Sequence, residues 1–170
     1  MQSYRKDDFS MKILTFGEIM LRLKTPDHLR IVQTDGFEAS YGGAESNVAV
    51  SLATLGDDAA FVSKLPKNPV GDAAFNELRR YGVDTSRILR GGPRLGIYYF
   101  EKGSDIRPTS VLYDRAGSAL AEADANEFDW KTLLSGVDIF FFSGVTPAIS
   151  DSVEQAVRDA LKYCHTHGIT

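Results

Sequence analysis

Apolar and polar positions change rhythm several times along this chain, and each change marks an element. Met11-Lys12-Ile13-Leu14-Thr15-Phe16-Gly17 is a short apolar run closed by glycine and reads as the first strand. Met20-Leu21-Arg22-Leu23-Lys24-Thr25 alternates, which suits a half-exposed strand, and Pro26 stops it. Phe37 to Tyr41 is a further short strand leading into Gly42-Gly43. The period then lengthens: Val48, Leu52 and Leu55 recur at helical spacing, with Gly56 placed as the cap. Ala59 to Leu65 reads as a second core strand. Asn68-Pro69-Val70-Gly71-Asp72 is a turn cluster ahead of a helix from Ala73 to Tyr81, capped by Gly82. Gly96 to Glu101 and Thr109 to Tyr113, separated by the polar turn at Lys102-Gly103-Ser104-Asp105, form a β-hairpin. Val137 to Phe142 is almost continuously apolar, as expected of a strand buried on both faces. Val153, Ala156, Val157, Ala160, Leu161 and Cys164 then line one face of a last helix, ended by Gly168.

Core strands that alternate with helices predict an α/β fold, a parallel sheet covered on both sides. The alternating, polar-faced segments near 20–25, 37–41, 96–101 and 109–114 interrupt that pattern and predict a separate antiparallel sheet. Residues 1–10 are polar and patternless and read as a tail; 11–170 read as one unit. The chain stops at Gly168-Ile169-Thr170, where a strand should follow a helix cap, so it reads as the N-terminal, truncated part of a longer protein.

Composition narrows the partners. Apolar residues make up 43% and charged residues 25%, the proportions of a soluble globular domain. A net charge of −4 leaves no electrostatic footprint for nucleic acid and no basic run for an anionic membrane. The single cysteine makes no internal disulfide, and the first residues lack the apolar stretch of a signal peptide; the expectation is a cytoplasmic protein.

Candidate chemistry gathers at the first helix. Gly42 and Gly43 carry no Cβ, so a ligand can come close to the backbone. The unpaired N–H groups of the helix entrance suit oxygens. Asn47, about one turn inside, offers a donor and an acceptor to a sugar hydroxyl. His165 and His167 beside Cys164 do not make a metal site, because positions two apart on a helix point in different directions and no fourth ligand is evident. They read as a helix end whose cations favour its dipole.

These residues bring a resemblance into view. Ile13-Leu14-Thr15-Phe16-Gly17-Glu18, Gly42-Gly43 with Asn47, and Gly71-Asp72 with Tyr81-Gly82-Val83-Asp84 resemble the PfkB (ribokinase-like) carbohydrate kinases. Gly96-Ile97-Tyr98 and Tyr113-Asp114-Arg115-Ala116-Gly117-Ser118-Ala119 are most similar to the 2-keto-3-deoxygluconate kinases within that family. The resemblance covers residues 11–170. It implies a three-layer αβα, Rossmann-like body carrying a small antiparallel β-sheet lid that pairs two subunits in a homodimer or higher assembly. It implies a kinase that uses ATP and Mg2+ to phosphorylate the terminal hydroxyl of a sugar acid. Backbone groups of Gly42 and Gly43 and the amide of Asn47 would then meet substrate hydroxyls. Tyr98 and Tyr113 would reach from the lid, Arg115 would hold the substrate carboxylate, and Glu18 would stand near the sugar. A guanidinium can bind a carboxylate through two parallel hydrogen bonds, which makes Arg115 a discriminator against neutral sugars. Tyr98, Tyr99 and Phe100 must alternate between faces, so with Tyr98 toward the ligand, Tyr99 packs behind.

The family's Gly-Ala-Gly-Asp-type motif, with its general-base aspartate, does not occur in these residues, and no Gly-x-x-x-x-Gly-Lys-Ser/Thr loop replaces it. The nucleotide site is expected beyond residue 170, and the chain alone is expected to be inactive. The alternatives are a fructokinase- or ribokinase-type kinase of neutral sugars, or a non-catalytic sugar-binding module.

Overall fold

The computed structural model describes residues 11–170. The expected tail at residues 1–10 lies outside the described residues. Three parallel strands, β1 (Lys12–Phe16), β4 (Asp58–Val62) and β9 (Ile139–Phe141), form the body sheet in the order β4-β1-β9. Alternation along these strands sorts their side chains into two cores. Phe61 points to α1 (Ala44–Leu55) and α2 (Pro69–Arg80), joining Ile19, Ala49, Ala74 and Leu78. Leu14, Phe16, Ala60, Val62 and Phe140 point to the opposite side, against α3 (Trp130–Leu133) and α4 (Asp151–His167). There the ring of Phe16 meets the edges of Phe128 and Trp130, both at 5.1 Å between centroids. Helices therefore cover both faces of the parallel sheet, and the body is three-layered.

The second sheet contains β2 (Met20–Lys24), β3 (Glu38–Gly42), β7 (Ile97–Glu101) and β8 (Ser110–Asp114), in the order β3-β2-β7-β8. The pairings β2–β3 and β7–β8 are antiparallel, but β2 and β7 run parallel. The lid is a mixed sheet, not the antiparallel one expected. Two hairpin-like arms meet side by side, and no local pattern in either arm encodes that meeting. Two short strands, β5 (Lys64–Leu65) and β6 (Leu89–Arg90), make a further parallel pair, so the run from Ala59 to Leu65 is broken at Ser63.

Four other expectations are corrected. α2 begins at Pro69, because Asn68 is its cap: the Asn68 carboxamide oxygen accepts from Gly71 N–H at 2.9 Å, and Pro69 opens the helix. α1 ends at Gly56 with φ 101°, but its inward face is Glu45, Ser46 and Ala49, while Leu55 is 81% exposed. The burial of Glu45 turns the helix away from its apolar stripe. In α4 the stripe is buried except for Leu161, which is 43% exposed, and Gly168 caps the helix at φ 70°. β9 is buried on one face at Phe140; Phe141, pointing the other way at the edge of the described sheet, is 36% exposed.

Candidate active site

Neighbouring residues on paired strands share a face of the sheet. Register therefore aligns Ser40, Arg22, Tyr98 and Tyr113 in one row across β3, β2, β7 and β8. The rings of Tyr98 and Tyr113 lie 5.8 Å apart. On the other face Tyr99 packs edge-on against Phe37 at 5.8 Å. The row faces the entrance of α1, and between them lies a cleft of about 260 Å³. Gly43, Asn47, Tyr98, Tyr113 and Arg115 all line it, together with Met20, Arg22, Phe100 and Val145.

Gly42 sits just behind this lining. A Cβ there would stand 3.2 Å from Asn47 Oδ1 and 3.7 Å from the Tyr98 hydroxyl, so its bareness leaves room for both polar groups. It opens instead on a neighbouring cavity of about 240 Å³, with Tyr41 and Glu77. Burial, with the Glu77 carboxylate next, pushes the Tyr41 hydroxyl above its ordinary range.

Glu18 is also behind the lining, and it is buried. Its Oε2 accepts from Arg115 Nε at 2.9 Å and stands 2.6 Å from Arg115 Nη2; its Oε1 accepts from Ser118 Oγ at 2.5 Å. The Arg115 side chain is thus held from beneath by a carboxylate that is itself satisfied, as a buried charge must be. The last residue of β8, Asp114, is braced from the side by Arg94, whose two Nη groups donate to the carboxylate at 2.8 and 3.0 Å. That bidentate bond holds the Asp114 carboxyl below its usual range.

The chain crosses between body and lid four times, and every crossing meets Glu18. Glu18 lies on the first, from β1 to β2. Gly43 lies on the second, and a Cβ there would overlap the Glu18 carbonyl oxygen. Gly96 enters β7, and a Cβ there would stand 2.8 Å from Glu18 Oε1. Arg115 and Ser118 leave β8 bonded to the Glu18 carboxylate.

A second buried carboxylate joins α1 to the loop after β9. Glu45 Oε1 accepts from Ser143 N at 2.9 Å, Ser143 Oγ at 2.5 Å and Thr146 Oγ1 at 2.7 Å. This tie sets Val145 at the cleft wall. Sequence reasoning missed Glu45, Ser118 and Arg22. The alternation of Met20, Arg22 and Lys24 was the available signal for Arg22; Glu45 and Ser118 gave none without their distant partners.

The sequence profile of the pfkB family of carbohydrate kinases matches residues 10–169. The chain belongs to that family. Among curated pfkB relatives, a 2-dehydro-3-deoxygalactonokinase from Haloferax volcanii is 38% identical over 94% of this chain and 50% of its own length. A 2-dehydro-3-deoxygluconokinase structure from Thermotoga maritima superposes with a TM-score of 0.92 at 54% identity, covering 94% of this chain and 49% of that one. A Pyrococcus horikoshii sugar kinase solved in complex with ATP gives a TM-score of 0.79 at 26% identity, over 89% and 49% of the two chains. The chain spans about half the length of the curated relatives it matches. No helix among the described residues is long and apolar enough to cross a membrane.

Proposed function

We propose that this chain is the substrate-binding half, with the lid, of an ATP-dependent kinase that phosphorylates the terminal hydroxyl of 2-keto-3-deoxygluconate or a close sugar-acid relative. One observation carries the reading: a guanidinium, Arg115, is fixed by buried Glu18 at the wall of a cleft that also presents Asn47, Tyr98 and Tyr113. Fixed polar groups around an apolar-floored cleft orient a polyol, and a fixed guanidinium orients a carboxylate at one end of it. Holding that end leaves the far hydroxyl to be presented for transfer. The relatives from Haloferax and Thermotoga carry names of 2-dehydro-3-deoxy sugar-acid kinases, which agrees with an anion-binding cleft.

ATP and Mg2+ belong to the same proposal, ATP in keeping with the Pyrococcus complex. The residues described here do not fit as their seat. No three His, Cys, Asp or Glu side chains gather among them, and no phosphate-binding glycine loop occurs. What these residues do is bind, orient and exclude water at the sugar end. Pairing of two lids in a homodimer is the partner we propose, supported by the outward-facing Leu112, 60% exposed on β8.

The test is phosphorylation of 2-keto-3-deoxygluconate and of fructose by the full-length protein and its Arg115→Ala variant. The acid is expected to be the preferred substrate. Loss of a charge-assisted bond of about 1.5–3 kcal/mol should cost the variant roughly 10- to 150-fold in acid affinity and little for fructose. Equal or better turnover of fructose by the unaltered protein overturns the reading.

A further inference from the structure

One cleft residue, Arg22, has no charged partner among the described residues. Two positions along the same face of β2, Lys24 is neutralised by Glu38 at 2.7 Å. Arg115 is neutralised by Glu18. Arg22 reaches only a neutral group: its Nε donates to Ser40 Oγ at 2.9 Å, and its guanidinium carbon stands 5.8 Å from the centre of the Phe100 ring. No carboxylate pairs with it among the described residues, and neither Asp nor Glu lines the cleft.

The two guanidinium groups therefore differ in what they can still do. Arg115 has committed Nε and Nη2 to Glu18. Arg22 has committed Nε to a neutral hydroxyl, so it keeps an unmatched charge as well as both terminal nitrogens for a planar, two-point bond to a carboxylate. Arg22 is also directly across from Tyr98 in the row that faces the cleft. Met20 and Phe100 flank it with apolar surface, where a charge interaction is weakened less by water than in the open.

We infer that Arg22 is a second specificity residue of this cleft. It selects substrates with a carboxylate by a two-point bond from its free edge, while Arg115, its charge already matched by Glu18, contributes fixed donors to the same group. This rests on the sugar-acid reading above and adds to it a residue on the lid that makes the choice.

The experiment uses the full-length protein and its Arg22→Met and Arg22→Lys variants, with 2-keto-3-deoxygluconate and fructose as the two substrates. Arg22→Met is expected to raise KM for the acid roughly 10- to 150-fold. It should leave kcat for the acid and KM for fructose within about twofold. Arg22→Lys should recover part of the acid affinity, because it restores the charge without the planar fork. Should Arg22→Met melt well below the unaltered protein, Arg22→Gln, which retains a donor toward Ser40, takes its place. An acid KM unchanged in the variant, with the unaltered protein still preferring the acid, overturns the role of Arg22 alone. An unaltered protein that does not prefer the acid overturns the sugar-acid reading and this inference with it.

Discussion

The body and the lid of this molecule are held together by different physics. Strands of the body sheet place Leu14, Phe16, Ala60, Phe61 and Val62 in cores with no solvent exposure at all. In the lid, every residue of β7 is half-buried and every residue of β8 is exposed. Its order comes from register, from ion pairs such as Arg94 with Asp114, and from its attachment to the body. The lesson is a division of labour: one sheet supplies folding free energy, and the other is free to spend its side chains on a ligand.

That division can be broken most forcefully in the body. Phe61→Ala should cost about 3–5 kcal/mol of stability by the usual scale for buried aromatic truncation. Chemical denaturation would read it, and an unchanged midpoint would mean that the apolar core is not what holds the fold. Glu18→Gln acts at the junction and should cost about 1–3 kcal/mol, since it removes the acceptor charge from Arg115 and Ser118 while keeping the shape. Here KM for a sugar acid should rise together with the fall in melting temperature, because fold and ligand share the group. A variant that loses stability with unaltered KM would detach Arg115 from substrate binding. Leu112→Thr, on the outer face of the lid, should change monomer stability by no more than about 0.5 kcal/mol. Equilibrium sedimentation of the same variant reads whether that face pairs two lids.

The sequence made the regular parts legible where local signals sufficed. Gly56 and Gly168 end their helices in the left-handed conformation, as their positions after an apolar period implied. The alternation of Tyr98, Tyr99 and Phe100 required two faces, and the family resemblance chose Tyr98 for the cleft, where it lies, with Tyr99 packed behind on Phe37. Illegible features were those decided at a distance. The inward turn of Glu45 depends on donors at Ser143 and Thr146, far along the chain, and overrides the apolar stripe through Leu55. The parallel meeting of β2 and β7 joins segments that carry no mark of each other. Asn68-Pro69 was visible as punctuation, but its local order, a capping side chain followed by a proline at the first helical position, marks a helix start and not the turn expected.

Glu18 finally bears on how the lid can move. Four strands of covalent connection pass one carboxylate and its own backbone, two of them at glycines whose missing side chains make room for it. A plate tethered at four points in one small region keeps rotation about that region and loses translation. Any motion of this sheet against the body would be a swing about Glu18, with the far ends of β7 and β8 travelling most and Arg115, bonded at the axis, travelling least.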